Sequence, residues 1–336
     1  MFAVLLAMAI GLATRQSHGQ GARTCASSTR FVDCFTLEDS ILLFQDANHP
    51  IVRLTHTVVT PRGHILVADA SEAHIKVFRP TGGLLQVIGR KGEGPGEFVE
   101  PRLLSLSRNG HLHVMDTRLS RITEFDDRYR FVKTVPVRAE VSQVTGMIVD
   151  SLGRYRLTGF IPEGIALVLV DSVGRQVETF LKGPRGTRGT DKMWRVLQST
   201  AIAGAGRLIY LASSTRDSLY TIDAETKQVV AQVIPGAELS NPPRPPATFD
   251  RQGFAGWANS FYRPATVFAG GPEVIVTIVR GNIYDGATSV LAINQNGKWQ
   301  NLSGAPLVLD IGNGTLLALL TTDPDRVVLG RFRRRP

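Results

Sequence analysis

Short apolar runs separated by turn residues recur along the whole chain. Between Leu84 and Asp116 the sequence reads as a strand, a glycine-rich crossover, a strand, a tight turn and a further strand. The crossover from Gly89 to Phe98 contains four glycines and a proline, which excludes a helix there. The runs on either side are rich in β-branched residues and bounded by turn residues, and this pattern predicts strands.

The same pattern repeats at a fixed spacing. Gly63 and Gly110 lie 47 residues apart, and the segments that begin at Val58 and Ser105 align without a gap. The matched pairs are His64 with His111, Asp69 with Asp116, Ile75 with Ile122 and Phe78 with Phe125. A repeat of about 40–50 residues with four strands predicts a β-propeller, in which neighbouring sheets bury each other's faces.

Looser copies of the unit bring the total to six. They open near Met147, Ala201, Ala265 and Leu307, and the last copy has only three strands. Its missing strand could come from the N-terminal side, at Ser40–Phe44. We therefore predict an all-β fold, a six-bladed β-propeller with four-stranded antiparallel blades.

The predicted organisation has three parts. A signal peptide covers residues 1–19, an N-terminal arm with a disulfide and the closing strand covers 20–45, and the propeller covers 46–336. All-β folds of this length are often single domains, so a second domain is not required.

The segment IGRKGEGPGEFVEPRLLSLSRNGHLHVMD, from Ile88 to Asp116, resembles the NHL-type repeat and the related six-bladed propellers of bacterial secreted proteins. That repeat combines a GPGEF-like crossover, a proline, an apolar strand, a turn glycine and a strand ending in Val-x-Asp. The resemblance extends over the first two units, Val58–Val135, and later units keep the strands without the motif. It implies the fold. Related propellers include lactone hydrolases and a metal-dependent lyase, but no motif in this chain matches their functional residues.

The N-terminus is typical of an exported protein. Phe2–Ala13 is apolar and suits the hydrophobic region of a signal peptide, although no Lys or Arg precedes it. At this length it is too short for a membrane-spanning helix, which needs about 17–25 residues. The alternative is a buried strand or helix. The predicted localisation is secreted or periplasmic, without a membrane span.

The two cysteines, Cys25 and Cys34, follow the predicted cleavage region. A disulfide between them fits an exported protein, whereas a metal site would need a second pair of cysteines that the chain lacks.

Five polar residues lie eight positions before the turn glycines of five units. They are Thr55, Arg102, Thr145, Gln198 and Arg263. This position is the start of each innermost strand, so the five side chains are predicted to ring one mouth of the central channel. Glu100 lies just before this level, and Trp257 lies in the long crossover Glu238–Arg263, whose aromatics either overhang a ligand or pack on the blades.

Two interpretations of this ring remain open. Every propeller has a polar channel mouth, so the ring could reflect hydration alone. Alternatively, Arg102 and Arg263 bias a ligand site towards anions. The formal charge of +9 fits an anionic partner, which could be a small molecule, a glycan or a protein. A nucleic-acid partner fits poorly with export.

The chain lacks the motifs of common nucleophilic enzymes. There is no Gly-x-Ser-x-Gly elbow and no cysteine outside the N-terminal arm. His111 and His113 share a strand face, but His64 is the repeat equivalent of His111 and belongs to the adjacent blade, so no metal or other cofactor is predicted. Asp69 and Asp116 are expected to cap turns.

The function predicted from the sequence is that of a binding or interaction module with a ligand site at the channel mouth. Its ligand-binding candidates are the ring, Glu100 and Trp257, and no catalytic residue is assigned. A propeller hydrolase or lyase that acts at the mouth is the alternative, and a purely structural scaffold is a third possibility.

Overall fold

The computed structural model describes residues 25–45, 48–161, 164–182, 200–214, 216–237, 251–270, 273–281, 288–312, 314–323 and 326–336. These residues form six four-stranded antiparallel sheets, as the sequence predicts. The innermost strands contact one another in chain order around a ring, and the last contacts the first. The chain is therefore a closed six-bladed β-propeller.

Each blade consists of four strands, ordered from the innermost outwards. Blade 1 contains β2 (Leu54–Val59), β3 (Ile65–Asp69), β4 (His74–Phe78) and β5 (Leu84–Ile88). Blade 2 contains β6 (Pro101–Leu106), β7 (Leu112–Asp116), β8 (Arg121–Phe125) and β9 (Phe131–Pro136). Blade 3 contains β10 (Ser142–Val149), β11 (Tyr155–Ile161), β12 (Gly164–Val170) and β13 (Gln176–Lys182).

The second half of the ring follows the same order. Blade 4 contains β14 (Thr200–Ala205), β15 (Leu208–Ser213), β16 (Ser218–Asp223) and β17 (Val229–Val233). Blade 5 contains β18 (Arg263–Gly270), β19 (Glu273–Arg280), β20 (Thr288–Gln295) and β21 (Lys298–Ser303). Blade 6 contains β22 (Leu307–Gly312), β23 (Thr315–Asp323), β24 (Arg326–Arg334) and β1 (Phe35–Leu43).

The ring is closed by a strand from the N-terminal side of the chain. β1 pairs antiparallel with β24, from Phe35 opposite Arg334 to Leu43 opposite Val327. This strand includes most of the predicted closing segment, and it starts five residues earlier than the sequence suggested. Because β1 covers the edge of β24, the two ends of the chain hold the ring together.

The N-terminal arm is attached to the last two blades. Cys25 and Cys34 form the predicted disulfide, with their Cα atoms 4.6 Å apart. The helix α1 (Phe31–Cys34) places Phe31 against Phe35 and Phe332, with ring centroids 4.7 and 5.2 Å away. The Ser303 amide donates a hydrogen bond of 2.7 Å to the Thr29 carbonyl. The disulfide therefore fixes the start of β1 on blades 5 and 6.

The core lies between the blades because successive strand residues face opposite sides of a sheet. In β3, Ile65 and Val67 pack in a cluster with residues of blade 6, and Leu66 and Ala68 pack in a cluster with residues of blade 2. Every residue of β3 is consequently buried. This explains why the second strands read as continuous apolar runs, and why no blade could be stable without its neighbours.

Among the described residues, no helix is long and apolar enough to span a membrane. The predicted signal peptide lies outside the described part of the chain.

Candidate functional site

The innermost strands define two ends of the central channel. They begin after the crossovers from the preceding blades, at what we call the crossover end, and they finish in tight turns at the opposite, turn end. Four innermost strands carry one extra residue near their start, at Thr55, Arg102, Ala265 and Leu309. Such a bulge bends the strand and redirects one side chain. The described residues of the predicted ring lie near the starts of the innermost strands, so the ring lies largely at the crossover end.

Asp69 and Asp116 organise this end by capping loops, as the sequence predicts. Asp69 accepts hydrogen bonds from the amides of Val52 and Arg53, at 2.8 and 3.2 Å, and from two amides of the loop that follows it. Asp116 accepts from the amides of Val99 and Glu100, at 2.7 and 3.1 Å, and likewise from its own loop. Each carboxylate therefore ties the crossover that enters a blade to the end of that blade's second strand.

Blade 1 adds an ion pair that blade 2 lacks. Lys76 Nζ lies 2.8 Å from Asp69 Oδ2, and both side chains are 0% exposed. Burial acts to raise the pKa of Asp69, but the hydrogen bond and charge of Lys76, together with backbone amides, outweigh it and lower the pKa. Blade 2 has Thr123 at the position of Lys76, and its hydroxyl is buried without a partner in the described part of the chain.

Glu100 and Arg102 form a charged cluster with Arg53. One carboxylate oxygen of Glu100 accepts from Arg102 Nη2 at 2.8 Å and lies 3.5 Å from Arg53 Nη2. The other accepts from the Thr117 hydroxyl at 3.2 Å. Burial opposes ionisation of Glu100, but Arg102, Thr117 and Arg53 lower its pKa. One carboxylate therefore forms ion pairs with two guanidinium groups, and the cluster has a formal charge of +1.

Thr55 and Thr145 connect neighbouring blades. The Thr55 hydroxyl lies 3.1 Å from the carbonyl of Ala68 in its own blade and 3.3 Å from that of Pro101 in blade 2. Thr145 Oγ1 lies 2.6 Å from Thr200 Oγ1 of blade 4. These contacts engage both hydroxyls in the ring itself. Ligand contact by these two residues stays a prediction.

Arg263 lies at a slightly different level from the one predicted. The extra residue of its strand is Ala265, so Arg263 is equivalent to Arg53 and Glu100 rather than to Arg102. The sequence alignment counted back from Gly271 and missed this shift. Arg263 Nη1 donates to the carbonyl of Ala258, and no described carboxylate forms an ion pair with it. Burial lowers its pKa.

Trp257 lies on a helix, although the sequence suggested a crossover without regular structure. The helix α2 spans Arg251–Ala258, and Trp257 is only 6% exposed. Its ring packs on Phe261 with centroids 5.5 Å apart. Both side chains are buried, which fits the alternative in which the aromatics of this crossover are packed against the protein. Ligand contact by Trp257 stays a prediction. Gln198 lies outside the described residues.

Three of the described histidines make separate contacts. His64 Nδ1 lies 2.8 Å from the Tyr129 hydroxyl, and His111 Nδ1 lies 2.8 Å from Glu124 Oε1. His113 is buried against Tyr155, and burial lowers its pKa to about 4. Within the described ranges, no three His, Cys, Asp or Glu side chains are grouped so that they could hold a metal ion.

Sequence reasoning missed Asp310, a carboxylate in the innermost strand of blade 6. It accepts hydrogen bonds from the amide of Ile311, at 2.7 Å, and from that of Val59 in blade 1. It therefore joins the last blade to the first. The signal in the sequence was a lone charged residue in the apolar run Leu307–Ile311.

Comparison with known proteins agrees with this architecture. Residues 41–192 match the family model DUF5128, which is described as a 6-bladed beta-propeller. No curated protein sequence matches the chain. The NHL-type resemblance of the first two blades stays a prediction.

Several solved structures superpose over most of the chain. A Bacteroides fragilis NCTC 9343 protein provisionally described as exported gives a TM-score of 0.62 at 11% identity, covering 90% of this chain and 96% of its own. A DUF4221 member from Bacteroides vulgatus ATCC 8482 gives 0.58 at 9%, covering 90% and 98%. Catalytically inactive virginiamycin B lyase from Staphylococcus aureus, crystallised with Quinupristin, gives 0.53 at 11%, covering 88% and 99%. At these identities the likeness shows the fold alone.

Proposed function

We propose that this propeller is an exported binding module that takes an anionic ligand at the crossover end of its channel. The observation that carries the proposal is Arg263. Its guanidinium is partly buried, it donates to a backbone carbonyl, and no described carboxylate neutralises it. A buried cation without an anionic partner is costly, and an anionic ligand would supply that partner.

A second cationic group lies on the far side of the same end. Blades 2 and 5 are three positions apart in a ring of six, so Arg102 and Arg263 lie across the channel from each other. Among the described residues, the carboxylate of Glu100 is the only anionic partner of Arg53 and Arg102, and Arg102 Nε is buried without any partner. Arginines that present unused donors suit carboxylate, sulfate or phosphate groups.

Export of the chain is supported by two observations. The Cys25–Cys34 disulfide is typical of oxidising compartments, and one structurally similar propeller is provisionally described as exported. We place this protein in the periplasm or outside the cell, with an acidic small molecule, glycan or protein segment as its partner.

The direct test measures the binding of anions to matched variants. Isothermal titration of wild type with a panel of organic acids, acidic glycans and acidic peptides should identify a ligand. Arg263→Ala and Arg102→Ala should each weaken its binding by about 1.5–3 kcal/mol, because a charged hydrogen-bond partner is lost. Glu100→Gln should strengthen binding, because it frees Arg53 and Arg102.

Arg128→Ala is the control, since it removes the same charge from an exposed turn of blade 2. The proposal fails if no anion binds wild type, or if both arginine variants bind as well as Arg128→Ala does. Turnover of a bound compound would instead favour the alternative of a propeller hydrolase or lyase.

A further inference from the structure

A cavity lies at the turn end of the channel, between blades 6 and 1. Its volume is about 510 Å³. The ends of three innermost strands contribute to it through Val59, Leu106 and Gly312, and the turns of blade 1 contribute Pro61 and Pro80. It is therefore separate from the crossover end and involves none of the residues of the proposed anion site.

The cavity has the composition of a small-molecule site. Most of its wall is apolar, formed by Val59, Ile65, Leu106, Leu317 and the two proline rings. Ligand pockets of about 300–1,000 Å³ typically combine such walls with a few polar groups that orient the ligand. In this cavity the charged groups of the lining are Asp310 and Arg331.

Asp310 can accept more hydrogen bonds than it does. Its two oxygens accept from the amides of Val59 and Ile311, whereas a carboxylate can accept about four hydrogen bonds. Among the described residues no cation pairs with it, and burial raises its pKa to about 6. Its negative charge is therefore poorly compensated in the free protein.

Arg331 does not compensate it, because it is engaged elsewhere. Its Nη1 lies 2.8 Å from Asp39 Oδ2 of β1, and its Nη2 donates to the Pro80 carbonyl at 2.7 Å. The Arg331–Asp39 pair is formally neutral. The cavity as a whole thus presents an apolar wall and one net negative charge.

We propose that this cavity binds an organic ammonium ion, with the charged nitrogen at Asp310 and the apolar body against the proline and leucine walls. A protonated amine supplies both the counter-charge and the donors that the carboxylate lacks. This inference does not rest on the proposed anion site, since it concerns the other end of the channel and a ligand of opposite charge.

The test uses benzylamine, phenethylamine and cyclohexylamine as probes, with benzyl alcohol and benzoate as matched neutral and anionic compounds. Ligand-observed NMR and titration calorimetry at pH 7 should show that the amines bind wild type and that benzoate does not. Asp310→Asn should weaken amine binding at least tenfold, and it should bring the amines and benzyl alcohol to similar affinities.

Two further variants separate a site from a folding defect. Leu106→Trp should fill the cavity and abolish amine binding while Asp310 stays in place. Asp171→Asn alters a turn carboxylate of blade 3 outside the cavity and should bind amines as wild type does. If Asp310→Asn does not fold, Leu106→Trp alone decides the matter.

Proton linkage gives an independent readout. An ammonium ion beside Asp310 would lower its pKa, so binding near pH 6 should release protons, and the calorimetric heat should depend on the buffer. Affinity should fall as the pH drops below 6. The proposal is overturned if none of the three amines binds wild type, if Leu106→Trp binds them unchanged, or if binding releases no protons.

Discussion

Each end of the channel contains a carboxylate with a shifted pKa, and the two pKa values are shifted in opposite directions. At the crossover end, Asp69 receives four backbone amides and the ammonium of Lys76, and its pKa is lowered. At the turn end, Asp310 receives two amides and no described cation, and its pKa is raised to about 6. The first carboxylate is fully used by the fold. The second has acceptor positions left for a ligand. The number of hydrogen-bond and ionic partners therefore distinguishes a structural carboxylate from a candidate binding residue.

Removing the Asp69–Lys76 ion pair should produce the largest loss of stability. Asp69→Asn leaves the fully buried ammonium of Lys76 without an anion and should lower the unfolding free energy by about 3–5 kcal/mol. Asp116→Asn is the matched control in blade 2, where no lysine is present, and should cost only about 1–3 kcal/mol.

Urea unfolding of both variants measures this difference. The double substitution Asp69→Asn with Lys76→Met should recover part of the loss, because it removes the unpaired charge. Equal losses in the two single variants would show that the lysine does not distinguish the blades.

The pH dependence should differ in sign between the two ends. Because the folded-state pKa of Asp310 is raised, this residue favours the folded state most below about pH 4, and that contribution is lost as the pH rises towards 6. The shift from 3.8 to about 6 corresponds to about 3 kcal/mol at most. Asp69 has a lowered pKa, so its contribution is present above about pH 4 and is lost at lower pH.

Unfolding free energies of wild type and Asp310→Asn at pH 4, 5, 6 and 7 check the first sign. Wild type should gain stability relative to the variant as the pH falls from 7 to 4. A constant difference across this range would mean that Asp310 has an ordinary pKa in the folded state.

Much of this architecture could be predicted because the fold is repetitive. The 47-residue spacing of Gly63 and Gly110 reflects turns that need a positive φ, and both glycines have one, at 77° and 81°. The three-stranded last unit predicted the closing strand, since an uncovered sheet edge needs a partner. The disulfide followed from the compartment and from the number of cysteines.

The site was harder to predict, since it depends on register rather than on pattern. The extra residue lies eight positions before the turn glycine in blades 1 and 2, but Ala265 lies only six positions before Gly271. Arg263 therefore lies two residues before the level of Arg102, and nothing in the sequence marks that difference. Thr55 and Thr145 were recognised as polar, but their contacts with neighbouring blades depend on the closure of the ring. Trp257 lies on a helix that the prolines and glycines around it did not suggest.

A single set of titrations can decide whether the two ends select ligands of opposite charge. The anion identified in the panel and benzylamine are each titrated into wild type, Arg263→Ala and Leu106→Trp. We expect Arg263→Ala to lose affinity only for the anion, by about 1.5–3 kcal/mol, and Leu106→Trp to lose affinity only for the amine. Loss of both ligands in either variant, or retention of both in each, would show that the two ends are not separate sites of opposite selectivity.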